Sequence, residues 1–98
     1  MSTTVSFHAR AERELTDTAQ VYESQSPGLG AAVLDDAEKC ASDVATHPRA
    51  GRVILGMVRR RLLRRFPYAL IYKISPDGLR ILAVMNLRRR PHYWTERE

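Results

Sequence analysis

The sequence predicts an α+β fold of order β-αα-βββ, in which a helical hairpin packs on a small, mostly antiparallel sheet. Three observations predict it. Apolar residues recur at helical spacing from Ala9 to Val44, they change to extended runs after Gly51, and strong turn signals stand at Ser26-Pro27 and at Ser75-Pro76-Asp77-Gly78. The 98 residues leave room for a single domain, 1–98, with one modest core.

The elements follow in order. Thr3 to Phe7 is a short β-branched and aromatic run and predicts an opening strand. Ala11, Leu15, Ala19 and Tyr22 form the stripe of an amphipathic helix that starts at Ala9 and ends near Ser24. Ser26-Pro27 predicts a stop and a fresh start, because serine can cap exposed amides and proline at the first helical position loses no hydrogen bond. The second stripe is Leu29, Val33, Ala37, Cys40 or Ala41, and Val44; it should stop before Pro48, whose ring pushes the preceding residue out of the helical region. So short a join makes the two helices an antiparallel hairpin. Val53 to Val58 is β-rich apart from Gly56, which predicts a bulge or a close backbone approach, and Arg59 to Phe66 continues that strand. Phe66 to Ile74 is nearly all apolar, as a central strand buried on both faces would be. Ser75 to Gly78 then turns the chain, and Leu79 to Met85 returns antiparallel to it.

Charge is distributed unevenly. Fourteen residues are arginine and two are lysine, and eleven of the arginines lie in the second half. Residues 1–50 carry a net charge of −4 and residues 51–98 a net of +9, so one half reads as scaffold and the other as a binding face. Arginine pairs bidentately with phosphate or carboxylate and stacks on flat rings. No run of about 18 apolar residues is present, which argues against a membrane span, and the N-terminus lacks a secretory pattern, so the expected compartment is the cytoplasm. Cys40 is the only cysteine, and His8, His47 and His92 stand far apart, so neither a disulfide, a metal site nor a cofactor is expected.

Two constellations stand out. In Arg59-Arg60-Arg61-Leu62-Leu63-Arg64-Arg65, strand alternation places Arg59, Arg61 and Arg65 on one face and Arg60 and Arg64 on the other. Such a run fits either an anion-binding groove on the face that the helices leave open or a solvated edge protected by its charge. In Asn86-Leu87-Arg88-Arg89-Arg90-Pro91-His92-Tyr93-Trp94, guanidiniums alternate with rings, as in sites that stack on bases at about 1 to 3 kcal/mol each. The same residues also fit a lid in which Tyr93 and Trp94 close the sheet and Arg88 or Arg90 stacks on them. His92 has no carboxylate nearby in sequence to orient it as a base.

The string Phe66-Pro67-Tyr68-Ala69-Leu70-Ile71-Tyr72, the later Ile81-Leu82-Ala83-Val84, the ending Arg88-Arg89-Arg90-Pro91-His92-Tyr93-Trp94 and the earlier Tyr22-Glu23-Ser24-Gln25-Ser26-Pro27-Gly28-Leu29-Gly30 resemble the ParE/RelE superfamily of bacterial type II toxin-antitoxin toxins. The resemblance implies the same β-αα-βββ architecture and a toxin neutralised by a cognate antitoxin with an acidic or amphipathic tail. RelE-like members cleave messenger RNA on the ribosome, whereas ParE-like members inhibit DNA gyrase. The nuclease branch tends to carry an arginine where this chain has Ala69 and lysines in the preceding strand, and the Pro-x-Tyr-Trp ending is similar to ParE, so the ParE-like branch is favoured. Many relatives have histidine where this chain has Asn86. Under the ParE-like reading, Arg60, Arg64, Arg65, Arg88, Arg89 and Arg90 make the anionic contacts, with Tyr68, Tyr72 and Trp94 holding the sheet. Under the nuclease alternative, Arg60, Arg64 and Arg88 hold a phosphate on ribosome-bound mRNA and Tyr93 handles a proton. A non-toxic remnant or adaptor with the same fold is the third reading.

Overall fold

The computed structural model describes residues 4–88 and 93–97. Strand β1 (Val5–Phe7) leads into helices α1 (Ala9–Gln25) and α2 (Leu29–Thr46), a 3₁₀ turn at Pro48–Ala50, and strands β2 (Arg52–Leu55), β3 (Val58–Leu62), β4 (Tyr68–Ser75) and β5 (Gly78–Asn86). They form one sheet in the order β1-β5-β4-β3-β2, with β1 parallel to β5 and the other neighbours antiparallel. The α+β class and the helical hairpin on a mostly antiparallel sheet are those that the periodicity predicts. There is one strand more than expected, because Val53 to Phe66 is not one bulged strand. Gly56 takes a left-handed φ of 54° and starts a two-residue turn with Met57, so Leu55 pairs with Val58 and the chain doubles back.

The predicted stripes face inward. Ala11, Ala19, Val33, Ala37, Cys40, Ala41 and Val44 are buried, with Leu15, Tyr22 and Leu29 half-buried. Helix α2 does not start as expected. Ser26 and Pro27 precede it, and its N-cap is Gly28 at a φ of 92°, which offers no side chain. That backbone reversal lets the Glu23 carboxylate of α1 accept the N–H groups of Gly28 and Gly30 at 2.9 to 3.1 Å, so one helix caps the next with a charge suited to the positive end of its dipole. The end before Pro48 is as predicted.

The sheet is covered on both faces. Against the helices lie Leu70, Tyr72, Leu79, Ile81 and Val84, and on the far face Ala69, Ile71, Leu82, Ala83 and Met85 cluster with Trp94. Alternation along β5 fails once, between Ile81 and Ala83. Tyr72 pairs with Ile81 and Ile71 with Ala83, leaving Leu82 as an extra residue that keeps both faces in phase. Tyr72 also pins the crossover from helix to sheet. Its hydroxyl donates to the Pro48 carbonyl at 2.7 Å and accepts the Gly51 N–H at 3.1 Å. A Cβ on Gly51 would collide with that hydroxyl, which is why glycine stands where the character of the chain changes.

Candidate functional site

The segment before β4 is built around one acid. Asp36 lies on the buried stripe of α2, 5% exposed, and its carboxylate accepts the backbone N–H groups of Arg64 (3.2 Å), Arg65 (2.8 Å) and Phe66 (3.2 Å). A buried carboxylate needs such compensation, and three amides supply it. The backbone of residues 64–66 is thereby turned toward α2, and the side chains of Arg64 and Arg65 are exposed. Arg64 reaches Asp43 at 3.6 Å with 82% of its side chain exposed, and the Arg65 guanidinium stands 5.5 Å from the centre of the Phe66 ring.

Beside this loop lies an aromatic group. Tyr22 meets Phe66 edge-on at 4.9 Å and Tyr68 at 6.4 Å. Asn86, opposite Tyr68 at the ends of β5 and β4, donates from Nδ2 to the Tyr68 hydroxyl at 3.4 Å and accepts the Arg88 N–H on Oδ1 at 2.9 Å. The Leu87 N–H reaches the Pro67 carbonyl at 3.0 Å, which ties the Arg88 turn to the Phe66-Pro67-Tyr68 loop. The structure thus brings Arg64, Arg65 and Arg88 to one rim of the sheet. Arg89 and Arg90, with Pro91 and His92, lie outside the described residues.

The other arginines of the run go elsewhere. Arg60 pairs with Ile71, which is in the far-face cluster, so its side chain leaves from the far face. Arg59 and Arg61 leave toward the helices. Arg59 donates to the carbonyls of Arg49 and Gly51 at 2.9 and 2.8 Å, and Arg61 to Asp43 at 3.4 Å. The predicted alternation therefore holds for Arg59, Arg60 and Arg61 and stops at Leu62, where β3 ends. Beyond it Arg64 shares Asp43 with Arg61 instead of facing away from it. The cleft between α2 and β3 also holds Cys40, whose thiol is pushed up to about 12 by burial and stays protonated, lying 3.8 Å from the carbonyls of Arg61 and Leu62.

Tyr93 and Trp94 belong to the far side. Trp94 is 2% exposed and Tyr93 packs beside its cluster, so the face expected to be open is closed by the C-terminal segment. Arg97 stands over the Tyr93 ring at 5.0 Å; of the two arginines expected there, Arg90 lies outside the described residues. Arg97 also donates both terminal nitrogens to Glu14 of α1 at 2.9 and 3.0 Å and one of them to the Leu82 carbonyl at 3.0 Å. Of the four residues named for phosphate chemistry, Arg64 and Arg88 stand on the rim, whereas Arg60 and Tyr93 lie across the sheet. Among the described residues, no three His, Cys, Asp or Glu side chains are grouped to hold an ion.

Asp36 and Glu14 escaped the sequence reading, although a signal was present. Each falls on or beside an apolar helical stripe, where an acid must have a partner.

A family model described as "ParE toxin of type II toxin-antitoxin system, parDE" matches residues 5–91. No curated protein matches. Among solved structures, a chain described as "Chromosomal ParDE TA system from P. aeruginosa" superposes with a TM-score of 0.78 at 16% identity, over 89% of this chain and 98% of that one, and at this identity the likeness is one of fold. The family match runs from β1 through the strand, loop and rim that carry the Phe66-Pro67-Tyr68 signature, and by it the chain belongs to the ParE toxin family of type II toxin-antitoxin systems.

Proposed function

We propose that this toxin acts by gripping an intracellular target, DNA gyrase, through the rim of Arg64, Arg65 and Arg88, and that a cognate antitoxin with an acidic segment holds it inactive. The observation that carries the choice of a binding mechanism over RNA cleavage is Ala69. It is 0% exposed in the far-face core, so the position at which the nuclease branch carries an arginine presents a buried methyl group and no charge. The separation of Arg60 and Tyr93 from Arg64 supports the same reading, since a nuclease needs its groups within hydrogen-bonding reach of one phosphate.

The test is induction of the toxin without its antitoxin, followed by two assays on purified protein. Gyrase-catalysed supercoiling should fall with added toxin while ribosome-bound mRNA stays intact. Cleaved mRNA with supercoiling unchanged would replace this reading by the RelE-like one. Normal growth on induction would point to a non-toxic remnant or adaptor.

A further inference from the structure

Of the seven large apolar side chains exposed among the described residues, three stand close together in sequence and Met57 is the most exposed of all. Val53, Leu55 and Met57 are 51%, 48% and 69% exposed, and all three stand on the β2–β3 hairpin. Among the described residues strand β2 ends the sheet and one side of its backbone has no strand beside it, and extended chains add to such edges. At the hairpin tip Val53, Met57 and Ile74 form the apolar floor of a cleft of about 220 Å³, with Arg49 and Arg59 on its walls. The charged residues that line the cleft have one sign. Between Asp43 and Asp77 the chain contains seven arginines and one lysine and no carboxylate at all.

We propose that this edge and cleft form the docking site for an extended, acidic segment of the cognate antitoxin, which adds a strand beside β2. Its apolar side chains would cover Val53 and Met57, and its carboxylates would face Arg49 and Arg52. The proposal rests on neutralisation by an antitoxin and adds where the antitoxin binds and through what chemistry. Other occupants fit less well. A second copy of this chain would bring two clusters of arginines together without a counter-charge. A nucleic acid would match the charge, but it would leave Val53, Leu55 and Met57 facing phosphates.

The test uses the full-length toxin and the purified antitoxin from the adjoining reading frame. M57E, at an exposed turn position that cannot unfold the sheet, and V53E/M57E should each bind that antitoxin more weakly, the double variant by about tenfold or more. V53K/M57K, which loses the apolar floor but keeps the charge, should lose less, and L34E on the outer face of α2 should bind as the wild type does. In cells V53E/M57E should remain toxic and escape rescue by co-expressed antitoxin. Undiminished affinity of the hairpin variants would overturn the proposed site and leave neutralisation standing, whereas a wild-type toxin that does not bind the antitoxin would remove both. Loss of toxicity with antitoxin affinity intact would assign the hairpin to the target instead. A wild-type dimer that V53E/M57E dissolves would assign it to a second copy.

Discussion

Asp36 and His8 each hold a piece of backbone in place with a side-chain acceptor. Replacing Asp36 by alanine strands the N–H groups of Arg64, Arg65 and Phe66, and unfolding in urea should show a loss of about 3 kcal/mol. D36N, which keeps an acceptor, should lose less. His8 is the N-cap of α1, where its Nδ1 accepts the Arg10 N–H at 3.0 Å. Burial, then the charges of Arg80, Arg97 and Arg10, lower its pKa below the ordinary value of 6.5. A base whose folded pKa is depressed adds stability that is present above its unfolded pKa and is lost as pH falls through the folded one. The wild type should therefore lose stability below pH 6.5 relative to H8N, which caps without titrating; parallel curves in thermal melts from pH 7.5 to 5 would remove His8 as the cause. The sequence shows Asp36 as an acid on an apolar stripe, but not its partners. They are main-chain amides 28 to 30 residues away, and nothing in the side chains of Arg64 to Phe66 announces them.

Among the elements, β5 depends most on distant side chains. Its outer edge is paired to β1 only from Leu79 to Ile81. Beyond that Arg97 takes the Leu82 carbonyl, and Glu14 takes the Val84 N–H at 3.0 Å, so a buried ion pair occupies the place of a missing strand. The Arg97 and Glu14 side chains are 8% and 17% exposed, and R97M should destabilise by about 3 kcal/mol by leaving an unpaired carboxylate. The double variant E14M/R97M should recover part of that loss in the same unfolding assay; no recovery would mean that Arg97 acts through packing on Tyr93 alone. The helices and the β4–β5 hairpin were legible because their periods and turn residues agree. The β2–β3 hairpin was not, since Gly56-Met57 lacks the Asn-Gly or Asp-Gly signature and Arg59 to Leu62 continues the extended pattern unbroken.

At the scale of the whole molecule, the basic half divides into surfaces with different tasks. The rim of Arg64, Arg65 and Arg88 is exposed, whereas Arg59, Arg61 and Arg97 are committed to internal partners. R64E/R65E/R88E should therefore abolish growth arrest in an induction assay while its circular dichroism and melting temperature stay close to wild type. A collapse of the melt would show these arginines to be structural. Composition revealed that the second half is basic, but not this division, because which guanidinium finds an internal acceptor depends on where β3 ends. Strand β1 imposes an order on the assembly of the whole. Its register partners are Leu79 to Ile81, about three-quarters of the chain away, and they pair with it in parallel. Strand β1 has no place in the sheet until β5 has been made, and the Glu14–Arg97 pair cannot close until residue 97 has been added. A nascent chain thus carries its helical hairpin well before the sheet that bears the toxin surface is complete.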